Sequence, residues 1–111
     1  MRSIVIVLAV VVSSCAGVQL PKASLVDPGA LLFNGYVHEK VDCWECHNGD
    51  GNGSGRGPGL ALRVPKRSDE RLAQVIRDGK GRMPGFKDEL SEAEVAQLVS
   101  WLRAAFPHAG P

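Results

Sequence analysis

Cys43-Trp44-Glu45-Cys46-His47 is the stretch that most constrains this chain. On a helical turn, a spacing of three sets both thiols on one side, and the imidazole that follows falls beneath whatever the two sulfurs hold. Four chemistries want such a cluster. A zinc site needs four ligands; this stretch offers three, and His38 and His108 are isolated, with no second Cys or His pair at suitable spacing. A thioredoxin-like redox pair belongs in a strand-turn-helix context, and no strand pattern of any length occurs here. A Cys43–Cys46 disulfide would leave His47 without a purpose. The fourth is covalent haem attachment. There, two thiols reach the two vinyl groups on one edge of the porphyrin and the histidine becomes an axial ligand of the iron, an arrangement whose signature is C-x-x-C-H.

The head of the chain, MRSIVIVLAVVVSSC, carries one basic residue, Arg2, then an unbroken apolar run from Ile4 to Val12, then small residues. The run is shorter than the roughly 20 apolar residues that span a bilayer, so residues 1–14 read as a secretory signal. Val12-Ser13-Ser14-Cys15 has the form of a bacterial lipobox, in which the cysteine is acylated and becomes the first residue of the mature chain. Cleavage after Ala16 is the alternative, with Ser14 and Ala16 as the small residues. Cys15 is the odd one of three cysteines, and lipidation gives it a purpose while leaving no free thiol in an oxidising compartment. The expectation is an exported protein, lipid-anchored on the periplasmic side of a bacterial membrane, with a soluble periplasmic form as the alternative.

A chain of 111 residues has room for one domain. Residues 15–26 show no clear period and read as the lipidated cysteine followed by a flexible tether, spanning roughly 18 Å for eleven residues of coil. The folded domain is expected over residues 27–107. Asp27-Pro28 starts a helix, with Leu31, Leu32, Phe33, Tyr36 and Val37 following at helical spacing. After the cysteine motif, NGDGNGSGRGPG is too rich in glycine for any regular element. Ser68 caps a second helix that stops at Gly79, and Ser91-x-x-Glu94 opens a third as a capping box, with Val95, Leu98, Val99 and Leu102 on one face and Pro107 beyond its end. The fold class is all-α with long loops. So few short helices make a thin core, and domains of this size usually draw on a disulfide, a metal or a large cofactor for part of it.

The chain resembles the class I cytochrome c family from about Asp27 to Phe106. The residues that carry the resemblance are Gly29-x-x-Leu32-Phe33, Cys43-x-x-Cys46-His47, Gly57-Pro58-x-Leu60, Ile76-x-x-Gly79-x-x-x-Met83-Pro84-x-Phe86, and the final segment LSEAEVAQLVSWLRAAF. The resemblance implies a small all-α fold of three or more short helices and long loops wrapped around one haem c, attached through Cys43 and Cys46. It implies His47 and Met83 as the axial pair, and a hydrogen bond from the His47 imidazole to the Pro58 carbonyl. Once Met1 leaves with the signal, Met83 is the sole thioether in the chain. In many members an aromatic residue sits a few positions before the first cysteine. Here Phe33 is ten before it, GYVHEKVD reads as an insertion, and either Phe33 or Tyr36 is the partner for Trp101. His38 reads as a surface residue or as a rival ligand to Met83.

With both axial positions filled by protein, the iron is left with one-electron transfer, and no catalytic residue is assigned. The expected role is a membrane-tethered electron carrier or a small cytochrome subunit of a respiratory complex, with redox proteins as partners. The alternative is a haem enzyme or a gas or redox sensor in which Met83 dissociates. Without Arg2 the chain has twelve basic and twelve acidic residues, a balance that argues against nucleic acid as a partner. From Arg56 to Lys87 there are nine basic residues against three acidic ones, which suggests an electropositive docking face.

Overall fold

The computed structural model describes residues 4–6 and 16–108. The rest of the expected signal sequence, and Cys15, lie outside the described residues. Four helices carry the fold: α1 (Pro28–Phe33), α2 (Cys43–His47), α3 (Asp69–Asp78) and α4 (Glu92–Ala105). Single 3-10 turns occupy Lys22–Ser24 and Val64–Lys66, and no strand forms among the described residues. The all-α expectation holds.

Local chemistry sets most of the boundaries. The Asp27 side chain accepts from the Gly29 amide at 2.8 Å and Pro28 takes the first helical position, so α1 begins where the sequence places it. Its end differs from the expectation. The apolar spacing runs on to Tyr36 and Val37, but α1 stops at Phe33 in a closed C-terminal motif: Tyr36 N donates to Leu31 O, and Gly35 N to Leu32 O. Gly35 adopts φ +76°, a left-handed conformation open to glycine at no steric cost. Tyr36 and Val37 therefore leave the helix, and Val37 is exposed. In α3, Ser68 caps the Arg71 amide and Gly79 terminates at φ +79°. The capping box of α4 is complete, since the Ser91 side chain takes the Glu94 amide and the Glu94 side chain takes the Ser91 amide.

α1 crosses α4 closely because of Gly29. A methyl group there would run into the Gln97 carbonyl and the Trp101 side chain. The crossing buries Leu32 and Phe33 against Leu98 and Leu102, and α3 adds Leu72 and Ile76 to the same core. Phe33, not Tyr36, meets Trp101, with ring centroids 4.8 Å apart. Arg103 ties the lower end of α4 to its surroundings, reaching Asp69 at 3.0 Å and the carbonyls of Val64 and Arg67.

The segment before α1 also departs from expectation. Residues 17–20 are not free coil, because each makes a hydrogen bond to the body of the domain, through Glu45, Asn48, Asn34 or Tyr36. The polar side chains that receive this segment carry no periodic signal in the sequence.

Candidate functional site

The site is built around α2, a helix of five residues. So short a helix leaves its last carbonyls without intrahelical donors. Two separate segments supply them: from ahead of α1, Gly17 N donates to Glu45 O at 2.7 Å, and from the glycine-rich loop Ser54 Oγ donates to Cys46 O at 2.6 Å and Gly53 N to His47 O at 2.7 Å. The glycine-rich loop thus folds back under the helix it follows. Gly57 lies so near that an added Cβ would stand 2.7 Å from Cys46 O. Glu45 and Arg56 close the outer side as an ion pair at 2.9 Å.

The same loop brings Pro58 to the histidine. His47 Nδ1 lies 3.0 Å from Pro58 O. A carbonyl only accepts, so Nδ1 carries the proton and donates, which leaves Nε2 with its lone pair free for a metal. Phe33 sits beside the imidazole, centroid to centroid 6.4 Å.

The two thiols differ in setting. Cys43 packs against the core and Cys46 is exposed. Burial pushes the Cys43 thiol up to about 12, so it stays protonated at neutral pH and is poorly suited to the thiolate exchange of a redox pair. The two are not joined in a disulfide. Burial, with the neighbouring Glu45, raises the Asp42 carboxyl, and the Asn52 backbone amide lowers that of Asp50.

Met83 is on a separate loop after α3. It forms a two-way bond pair with Lys80, N to O at 3.0 Å in each direction, and Gly79 passes close under its carbonyl. The residue is partly buried against the core that Cys43 borders, and Phe86 anchors the loop from inside. Cys43, Cys46 and His47 share α2 and Pro58 meets His47 directly, whereas Met83 stands on a separate loop. Two unpaired thiols, an imidazole with one nitrogen oriented and the other open, and a thioether on an apolar border form a donor set that fits haem c.

Several residues of the site have no separate signal in the sequence. Glu45, which attachment chemistry leaves unconstrained, joins Arg56 and accepts from Gly17. Ser54 caps Cys46. His38, expected as a surface residue or a rival ligand to Met83, is instead held by Glu94 at 2.6 Å, at the start of α4. The run of polar residues among glycines after His47 is the one available hint that side chains there turn inward.

Residues 29–102 match the family described as cytochrome C oxidase, cbb3-type, subunit III. The chain is 37% identical over 97 residues to a subunit of the nicotinate dehydrogenase of Pseudomonas putida KT2440, covering 76% of this chain and 8% of that protein. Among solved structures it is similar to the KustC0563 c-type cytochrome, with a TM-score of 0.58 and 29% identity over 73% of this chain and 99% of that one. It is similar also to the dihydro-heme d1 dehydrogenase NirN, with a TM-score of 0.59 and 28% identity, over 76% of this chain and 17% of that one. The chain thus spans a small part of two of these relatives and nearly the whole of the third.

Proposed function

Because the chain belongs to the cytochrome c family, in the group of cbb3-type subunit III, we propose that it carries single electrons through one haem c bound by Cys43 and Cys46, with His47 and Met83 as axial ligands. Haem-based electron transfer is what the family implies. The observation that most favours this ligation is the 3.0 Å hydrogen bond from His47 Nδ1 to Pro58 O, which readies Nε2 as a donor.

The haem would supply the one-electron couple of its iron. The residues of this chain do the rest. Cys43 and Cys46 would hold the porphyrin edge as thioethers. Pro58 fixes the plane of the His47 ring and makes it a stronger donor. Met83, pinned by Lys80 and Gly79, would supply the second protein ligand and keep water and small ligands away. Leu32, Phe33, Val41 and Leu98 exclude water from the core, which favours the state of lower charge and raises the potential.

The partners we propose are redox proteins: a dehydrogenase, as the names of two relatives suggest, or a membrane respiratory complex. Of the nine basic residues from Arg56 to Lys87, only Arg56 and Arg77 form ion pairs among the described residues. Lys66, Lys80, Arg82 and Lys87 are exposed and open to an acidic partner. Residues 1–14 would export the chain and a lipid on Cys15 would keep it at the membrane. No described helix is long and apolar enough to cross a bilayer. Metabolic labelling with palmitate, lost in Cys15→Ser, tests the anchor.

Pyridine–alkali spectra test the attachment. Two thioethers give one band position, and Cys43→Ala and Cys46→Ala each shift it toward that of a single thioether. An unshifted band in either variant would contradict the proposal. Carbon monoxide separates the carrier from the enzyme or sensor reading, because an iron closed by Met83 leaves the ferrous spectrum unchanged under the gas.

A further inference from the structure

Residues 17–20 lie ahead of the family match, which begins at residue 29, yet they make a dense set of bonds to the haem-binding segment. Gly17 N donates to Glu45 O at 2.7 Å, Val18 N to Asn48 Oδ1 at 2.7 Å, and Gly49 N to Val18 O at 2.9 Å. These contacts fall two residues before His47 and one and two after it. The other end of the segment is held just as firmly. Leu20 N donates to Asn34 Oδ1 at 2.9 Å, Gln19 Nε2 to Asn34 O at 2.6 Å, and Tyr36 Oη to Leu20 O at 2.6 Å.

Asn34 explains why this arrangement is rigid. It is wholly buried, and its amide also donates to Ala30 O and Gly49 O. A buried side chain with its donors and acceptor all used fixes its partners, since any slip would leave a polar group unpaired. One residue therefore holds the C-terminal cap of α1, the backbone just after His47, and the N-terminal segment. The fit is tight: a Cβ on Gly17 would collide with the Trp44 carbonyl, and one on Gly49 would stand 2.6 Å from Asn34 Oδ1 and 2.7 Å from Val18 O.

We propose that residues 17–20 form a strap that positions His47 for iron from behind α2, with Asn34 as its buried anchor. Pro58 sets the rotation of the ring, and the strap sets the placement of the backbone that carries it. A five-residue helix cannot do this alone, because so few turns are not stable without outside contacts. The strap residues are positioning residues. This inference rests on the reading of His47 as a haem ligand.

The test uses the full chain matured with haem, in three variants: Gly17→Ala, a deletion of residues 17–20, and Val26→Ala as a control at a residue 91% exposed. Proton spectra of the ferric protein read the orientation of the axial imidazole through the haem methyl shifts, and exchange of the His47 Nδ1 proton reads its bond to Pro58. Gly17→Ala and the deletion are expected to change the methyl pattern and to speed that exchange about tenfold, the order of one lost hydrogen bond. Val26→Ala should do neither. Methyl shifts and exchange equal to wild type, in a Gly17→Ala protein whose Val18 and Leu20 amides have lost protection, would overturn the strap even if stability fell. Absence of any axial imidazole signal in the wild type would instead overturn the ligand reading itself. If the deletion does not mature, Gly17→Ala carries the test.

Discussion

Phe33 on α1 meets Trp101 on α4 at 4.8 Å with ring planes at 47°, and the same ring stands 6.4 Å from His47. One side chain thus joins the crossing of α1 and α4 to the imidazole of His47. Phe33→Ala removes a buried aromatic and should cost about 3–5 kcal/mol, whereas Phe33→Leu should cost under about 1.5 kcal/mol. Denaturant unfolding of the haem-loaded protein, followed by far-ultraviolet circular dichroism, measures both.

Gly29 is the contact point of the same crossing. Gly29→Ala would ordinarily favour a helix, but its methyl group meets the backbone of Gln97 and the side chain of Trp101. The loss should be about 1–3 kcal/mol, as for an overpacked core, with a lowered denaturation midpoint. An unchanged or raised midpoint would show that the helices separate without cost.

The capping box of α4 predicts a defined acid response. The Ser91 backbone amide, and then His38, hold the Glu94 carboxyl below its ordinary value near 4.5. A lowered folded value means that the stabilisation is complete above 4.5 and is lost as pH falls through the lower folded value. Glu94→Gln keeps an acceptor for the Ser91 amide and should flatten the stability curve in that acid range. Ser91→Ala should cost about 1 kcal/mol at any pH. Denaturant midpoints followed from strongly acid to neutral pH distinguish the two.

Much of this is legible in the sequence, for reasons that particular residues make plain. Ser68, Ser91 and Glu94 act on neighbours three residues away, so their effect is local and readable. Cys43, Cys46 and His47 are likewise one turn. The apolar spacing misplaces the end of α1 because Tyr36 and Val37 continue a pattern that Gly35 interrupts with a left-handed turn. Residues 17–20 read as coil because their partners, Asn34 and Asn48, lie 14 to 30 residues away and leave no periodic trace. Arg103 is silent in the sequence for the same reason: its partners, Val64, Arg67 and Asp69, are more than 30 residues distant.

The open basic residues predict how the protein meets its partner. Electron transfer with an isolated acidic redox protein should slow as ionic strength rises from about 10 to about 300 mM, as screening shortens the reach of the charges to within about 10 Å. Charge reversal at Arg82 and Lys87 should slow association at low salt, with little effect at high salt. Stopped-flow rates measured across that range would show no slope if the basic surface plays no part.

On the proposed ligation, His47 and Met83 together close the site. The ferric visible spectrum of the haem-loaded protein tests this closure most directly, through the weak far-red band that reports a bond between iron and methionine sulfur. The band is expected in the wild type and should be lost in Met83→Ala. Its absence from the wild type, with haem still attached, would contradict the closed site and open the iron to ligand chemistry.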